Sequence, residues 1–184
     1  RYSSSAASDV YKRQVPDGAL VSSYLQGAGG AVAILGGLDD KPAEIKANGG
    51  ETPVAFPYSD YGVNQVGYCI STHQDTLKNN PGLVERFVRA TMVAYKETEK
   101  NPDAAVNSMA DIVGGTMAEK SGKEQARSVL DVTLGILYSK ANTNRTMGLH
   151  VDSDWADMLG LMKKFNDLQT SKSASDFYTN QFIN

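Results

Sequence analysis

The chain has 184 residues, of which 41% are hydrophobic, and its 18 basic and 21 acidic side chains give a net charge of −3 at pH 7. Length and composition are typical of a globular protein with a core of its own, and the longest apolar runs are far shorter than the roughly 20 residues of a membrane-spanning helix. The acidic balance argues against nucleic acid as a partner, because phosphates are bound by clustered Lys and Arg.

Residues 4–14 read SSAASDVYKRQ, which is the translation of a transposon-end adapter used to prepare sequencing libraries. We therefore treat residues 1–14 as an artefactual segment that says nothing about the fold. We also expect the chain to be truncated at its amino end, so that a signal peptide would not be visible. Leaving these residues out removes three basic and one acidic side chain, which makes the remainder more acidic.

The first predicted elements are a strand and a short helix. The apolar run at residues 31–35 ends at two glycines, which predicts a buried strand that leads into a loop. A helix is expected to begin near Pro42, with Asp39 or Asp40 as its cap. Residues 65–72 alternate in polarity, with Val66, Tyr68 and Ile70 on one side, and this pattern predicts a second strand.

Four helices are predicted after residue 80. Asn80-Pro81 and Asn101-Pro102 are cap and first-turn signals for the first two. Apolar spacing places the others at about residues 123–139 and 153–166. The side chains that this spacing directs to the core include Phe87, Val88, Tyr95, Val106, Met109, Val113, Trp155 and Phe165. Two strands cannot complete a sheet against four helices, so the pattern predicts that part of the sheet is missing.

Two loops are candidates for a binding site. The first comprises Gly37, Leu38, Asp39, Asp40 and Lys41 and follows the first predicted strand, where α/β folds place ligand-binding residues. The second contains Asp60 and Tyr61 in a bend rich in Pro, Gly and Tyr, where a carboxylate beside aromatic rings suits a planar or cationic solute. Solvated turns explain both loops equally well.

Patterns for catalysis and metal binding are weak. His73 and His150 lack the local partners of a metal site, and the single cysteine, Cys69, excludes an internal disulfide and a site of several thiolates. We therefore predict no metal, no cofactor and no catalytic residue.

Several segments together resemble one protein family by their order and spacing. The family is that of the solute-binding proteins of bacterial ABC importers for thiamine-pyrimidine precursors, alkanesulfonates, taurine and nitrate. The similarity covers nearly everything from about residue 25 onward. It is carried by residues 60–63, 80–91 and 101–106, by Trp155, and by residues 176–182.

The resemblance implies an α/β, two-lobed periplasmic-binding-protein fold of type II, truncated at the amino end. Residues 15–50 would form the end of the second lobe, and residues 51–184 the crossover and the carboxy-terminal part of the first lobe. The strands needed to complete the sheet would precede residue 15. The fragment itself would be helix-rich with few strands.

In function, the resemblance implies a protein that captures a small polar solute, such as a sulfonate, nitrate or a thiamine-pyrimidine, and delivers it to a membrane permease. Such proteins are not enzymes, and they are monomers that lie in the periplasm or are lipid-anchored outside the cytoplasm. By the family's pattern the loop at residues 37–41 contacts the solute, and Asp60 and Tyr61 match a hinge-side motif that can reach the cleft. Pyrimidine-binding members tend to carry an aromatic, Asn and Glu arrangement in that loop, and this sequence has none of the three there.

Two alternatives remain open at this stage. The same family includes fungal thiamine-pyrimidine synthases, but those enzymes carry a cysteine-rich iron motif and this chain has one cysteine. The other alternative is a helical interaction domain that binds no small ligand.

Overall fold

The computed structural model describes residues 15–183, and the segment set apart above, residues 1–14, lies outside them. The described chain divides into two compact units, residues 15–53 and residues 54–183. The assignment of residues 15–50 and 51–184 to two lobes remains a prediction.

The first unit is a pair of helices. Helix α1 (Asp17–Leu25) packs against helix α2 (Lys41–Ala47), and their most buried side chains are Val21 and Ile45. The helix predicted near Pro42 is confirmed, with Pro42 in its first turn. Helix α1 was not predicted, because its sequence mixes apolar and small polar residues without a clear helical stripe.

The second unit is a succession of helices: α3 (Gln74–Asn79), α4 (Pro81–Lys100), α5 (Pro102–Val113), α6 (Lys120–Gly135) and α7 (Asp152–Phe165). The four predicted helices are α4 to α7, and each is confirmed. The start of α5 illustrates the predicted cap and first-turn signal. Pro102 occupies the first turn, and the Asn101 Oδ1 accepts a hydrogen bond from the Ala104 amide at 3.3 Å. Helix α5 packs against both α4 and α6.

The two predicted strands are wrong. Among residues 15–183 no strand forms, and both residues 31–35 and residues 65–72 run without a hydrogen-bonded neighbour. Val32 is 87% exposed and Tyr68 is fully exposed. A strand requires a second chain segment to accept and donate its backbone hydrogen bonds, and the described residues supply none. The expectation of a helix-rich chain holds, whereas the few strands expected within it do not appear.

Part of the predicted core is also wrong. Val88 and Val106 are buried as expected, but Phe87 is 59% exposed. The other large side chains that were expected inside and are exposed here are Tyr95, Met109, Val113 and Phe165. Helical spacing identifies an apolar face, but a face is buried only where another element covers it.

Candidate functional site

The loop at residues 37–41 folds into the start of α2. The Lys41 amide donates to the Gly37 carbonyl at 3.2 Å, and the Glu44 amide donates to the Asp40 carbonyl at 2.9 Å. Asp40 therefore stands at the N-cap position, as predicted for Asp39 or Asp40, but its side chain makes no capping hydrogen bond. The loop is held by its backbone, which leaves its carboxylates for other contacts.

Lys41 is the centre of this loop. Its side chain is buried, and its Nζ lies 3.0 Å from Glu44 Oε2, 3.2 Å from Asp17 Oδ1 and 3.4 Å from Asp40 Oδ2. The hydrogen bond to Glu44, followed by the one to Asp17, raises the pKa of Lys41 above its usual range despite its burial. The ammonium group is thus neutralised within the first unit. Sequence patterns did not reveal its partners Asp17 and Glu44, because Asp17 lies on a helix that was not predicted.

Two glycines allow the loop to fold over Lys41. A Cβ atom at Gly36 would overlap the Lys41 side chain, and one at Gly37 would stand 2.8 Å from Asp40 Oδ1. A side chain at either position would force the Lys41, Asp39 or Asp40 side chain to move.

The carboxylates of this loop outnumber its cation. Asp17 of α1, Asp40 of the loop and Glu44 of α2 contact Lys41, and Asp39 adds a second carboxylate within the loop. The Asp40 Oδ1 is inaccessible and has no hydrogen-bond partner among the described residues. Chemically, the loop is suited to accept hydrogen bonds from a donor or a cation rather than to attract an anion.

The second candidate loop lies in the other unit. Tyr58–Tyr61 forms a single 3-10 turn, in which the Asp60 amide donates to Pro57 and the Val63 amide closes onto Tyr58, both at 3.0 Å. Asp60 and both tyrosines are exposed. The turn therefore presents two aromatic rings and a carboxylate on a short, hydrogen-bonded scaffold. Within their own units, the structure brings Asp39, Asp40 and Lys41 together in one loop and Asp60 beside Tyr61 in one turn.

A shallow groove between α5 and α6 is a weaker candidate. Its polar lining is already paired, because Arg127 contacts both Asp103 and Asp131, and the Lys123 Nζ donates to Asn107 at 2.9 Å. These groups hold the two helices together and leave little for a ligand to contact.

The described residues contain neither a cluster of metal ligands nor a helix that could span a membrane. Within residues 15–183, the His, Cys, Asp and Glu side chains do not form a group of three that could hold a metal ion. The helices of the same residues include none with both the length and the apolar character needed to cross a bilayer.

A protein-family model matches part of the chain, and the members of that family are mostly solute-binding proteins of ABC-type importers. The matching family model is described as NMT1/THI5 like, and it covers residues 21–105, from within α1 to the first turn of α5. The resemblance predicted from the sequence is thereby confirmed over these residues, and the fold of this family is that of the periplasmic binding proteins. Neither curated proteins nor solved structures gave a match.

Proposed function

We propose that this chain binds a small polar solute for an ABC importer, and that the loop at residues 37–41 and the turn carrying Asp60 and Tyr61 contact that solute. The proposal rests on where the two segments lie in the sequence. Both segments lie inside the stretch matched by the family of solute-binding proteins, residues 21–105. Each presents polar or aromatic groups on a backbone fixed by its own hydrogen bonds.

The charge of the first loop favours one kind of solute. Sulfonate and nitrate are anions, whose binding an available cation would favour, whereas Lys41 is already held by three carboxylates. A solute with an amino group or another hydrogen-bond donor finds an acceptor in Asp39, whose carboxylate is not paired with Lys41. We therefore propose a cationic or donor-rich solute, with amines and aminopyrimidines ahead of sulfonates and nitrate.

The proposal extends to the partner and the place of action. Members of this family work with an ABC permease and are typically extracytoplasmic. We propose that this protein acts there as a monomer, either free in the periplasm or anchored by a lipid, and that it releases its solute unchanged. The synthase alternative predicts instead that the solute is consumed.

The test begins with a search for the solute. Thermal shift with amines, aminopyrimidines, sulfonates and nitrate identifies a ligand, and calorimetry then measures its Kd in the parent and in three variants, Asp39→Ala, Asp60→Ala and Tyr61→Ala. Loss of a hydrogen bond to a charged group costs about 1.5 to 3 kcal/mol, which corresponds to a roughly ten- to hundredfold weaker Kd for the aspartate variants.

Asp157→Ala is the matched control, because Asp157 is an exposed carboxylate on α7, outside the matched residues. It should bind as the parent does. Unchanged Kd values in all three loop variants would show that the loops are ordinary turns. Recovery of the solute after incubation separates binding from catalysis, since conversion of the solute would contradict the proposed role.

A further inference from the structure

Three aromatic side chains meet at the start of α7, and one of them is distant in sequence from the other two. His150 precedes the helix, Trp155 lies in its first turn, and Tyr178 belongs to the carboxy-terminal segment, residues 174–183. The ring centroids of His150 lie 5.5 Å from those of both Trp155 and Tyr178. Trp155 and Tyr178 stack with an interplanar angle of 20° and a separation of 5.6 Å. No local sequence pattern indicates this cluster.

Hydrogen bonds tie the same residues together. The Trp155 Nε1 donates to the His150 Nδ1 at 3.2 Å. Asn180 holds the backbone of His150 on both sides, accepting from its amide at 2.9 Å and donating to its carbonyl at 2.8 Å. The Tyr178 hydroxyl donates to Asp152 Oδ1 at 3.4 Å. His150 therefore links the start of α7 to the carboxy-terminal segment, beside the direct contacts of Tyr178 with Asp152 and Trp155.

The contact with Trp155 depends on the protonation of His150. The indole nitrogen is only a donor, so the His150 Nδ1 must be unprotonated to accept from it. A protonated imidazole would place two N–H groups against each other. The titratable group against the ring is Tyr178 of the carboxy-terminal segment, and its hydroxyl donates to the Asp152 carboxylate on α7. Burial is the cause that lowers the pKa of His150, so the site favours the neutral ring.

We propose that His150, Trp155, Tyr178 and Asn180 form an acid-sensitive clamp, which holds residues 174–183 against the start of α7 and opens when His150 takes up a proton. Because the folded-state pKa is lowered, the clamp contributes its full stability above about pH 6.5, the usual histidine pKa. That contribution is lost as the pH falls through the lower, folded-state pKa. Acidification below that folded-state pKa would then release the segment.

Trp155 provides a direct readout, because it is the only tryptophan in the chain. Emission of the intact protein is recorded from pH 8 to pH 5, together with hydrogen exchange of the amides of residues 178–183, corrected for the pH dependence of intrinsic exchange. We expect a change in emission with a midpoint below pH 6.5, together with faster exchange at the acidic end. Far-UV circular dichroism, which reports the helices, should stay constant over the same range.

The two histidines of the chain form a matched pair for the test. In His150→Asn the amide oxygen replaces the Nδ1 acceptor without titrating, so the emission should no longer depend on pH. His73 is exposed and caps α3 through its Nδ1, and Asn is a good replacement at a cap. His73→Asn should therefore keep the full transition.

A transition that persists in His150→Asn, or disappears in His73→Asn, would overturn the proposal. So would a midpoint at or above pH 6.5, because cation–π attraction between a protonated His150 and the two rings would then be holding the cluster closed. If acid unfolds the helices, the parent and His150→Asn are compared by the pH at which each unfolds. Unfolding of both at the same pH would also contradict a clamp at His150.

Discussion

Lys41 shows how one residue changes the chemistry expected of a loop. In the sequence it is a cation beside two aspartates, available to an anionic solute. In the structure it is 9% exposed and contacts carboxylates from α1, from the loop and from α2. Because its pKa is raised, it stays charged throughout the neutral range, and its ion pairs do not depend on pH there. Its main role is to join the two helices of the first unit.

We predict that Lys41→Met destabilises the protein by about 1 to 2 kcal/mol. A hydrogen bond to a charged group contributes about 1.5 to 3 kcal/mol, but Asp17 and Asp40 are well exposed, and water screens such pairs to about 1 kcal/mol or less. Methionine keeps the apolar part of the lysine side chain, so the decrease in the free energy of unfolding measures the contribution of the ammonium group. Urea denaturation gives the value, and Lys46→Met, an exposed change on the same helix, should stay within about 0.5 kcal/mol of the parent. Equal losses in both variants would contradict a special role for Lys41.

Among the elements, α4 shows the limit of an apolar pattern. Its start at Pro81 follows from local chemistry. Proline has no backbone N–H to donate, but in the first turn of a helix this N–H would have no acceptor within the helix, so nothing is lost. Which of its apolar side chains are covered depends on the elements that pack on it, α3 and α5 among them. Val88 is buried, whereas Phe87 is largely exposed.

We expect Val88→Ala to cost more than Phe87→Ala, although phenylalanine is the larger side chain. Removing two buried methyl groups costs about 1.5 kcal/mol, and incomplete closure of the cavity adds to this. Phe87 buries less than half of its surface, which corresponds to about 1 kcal/mol, and the better helix propensity of alanine offsets part of that. Chemical denaturation of the two variants checks the order, and a larger loss for Phe87→Ala would show that its ring is covered in solution.

At the scale of the whole molecule, each unit exposes large apolar side chains. Val32 is exposed in the first unit, and Tyr68 and Ile112 are exposed in the second. Apolar groups gathered on a surface favour association with other apolar surfaces. We therefore expect the chain to be only marginally stable and to associate with itself as its concentration rises.

Sedimentation at several concentrations and binding of a hydrophobic dye test this expectation. Ile112→Gln should reduce both association and dye binding, because it removes an 85% exposed apolar side chain from α5. Ser108→Gln, an exposed polar change on the same helix, should alter neither. A parent chain that stays monomeric and binds no dye would contradict the prediction.

The sequence by itself determined the features that depend on near neighbours along the chain. The starts of α2, α4 and α5 were predicted because the fixed geometry of proline acts within the first turn, and at α5 the Asn101 side chain also caps the helix. The order of such segments was also enough to predict the resemblance to the solute-binding family, which the match over residues 21–105 confirms.

Only the tertiary structure decided the features that depend on a distant partner. Residues 31–35 and 65–72 have the pattern of strands but pair with nothing in the described chain, because a strand exists only where a second segment completes its hydrogen bonds. Likewise, Lys41 meets Asp17 across 24 positions of sequence, and His150 meets Tyr178 across 28. No local pattern encodes such contacts, since they form only when separate elements are brought together by packing.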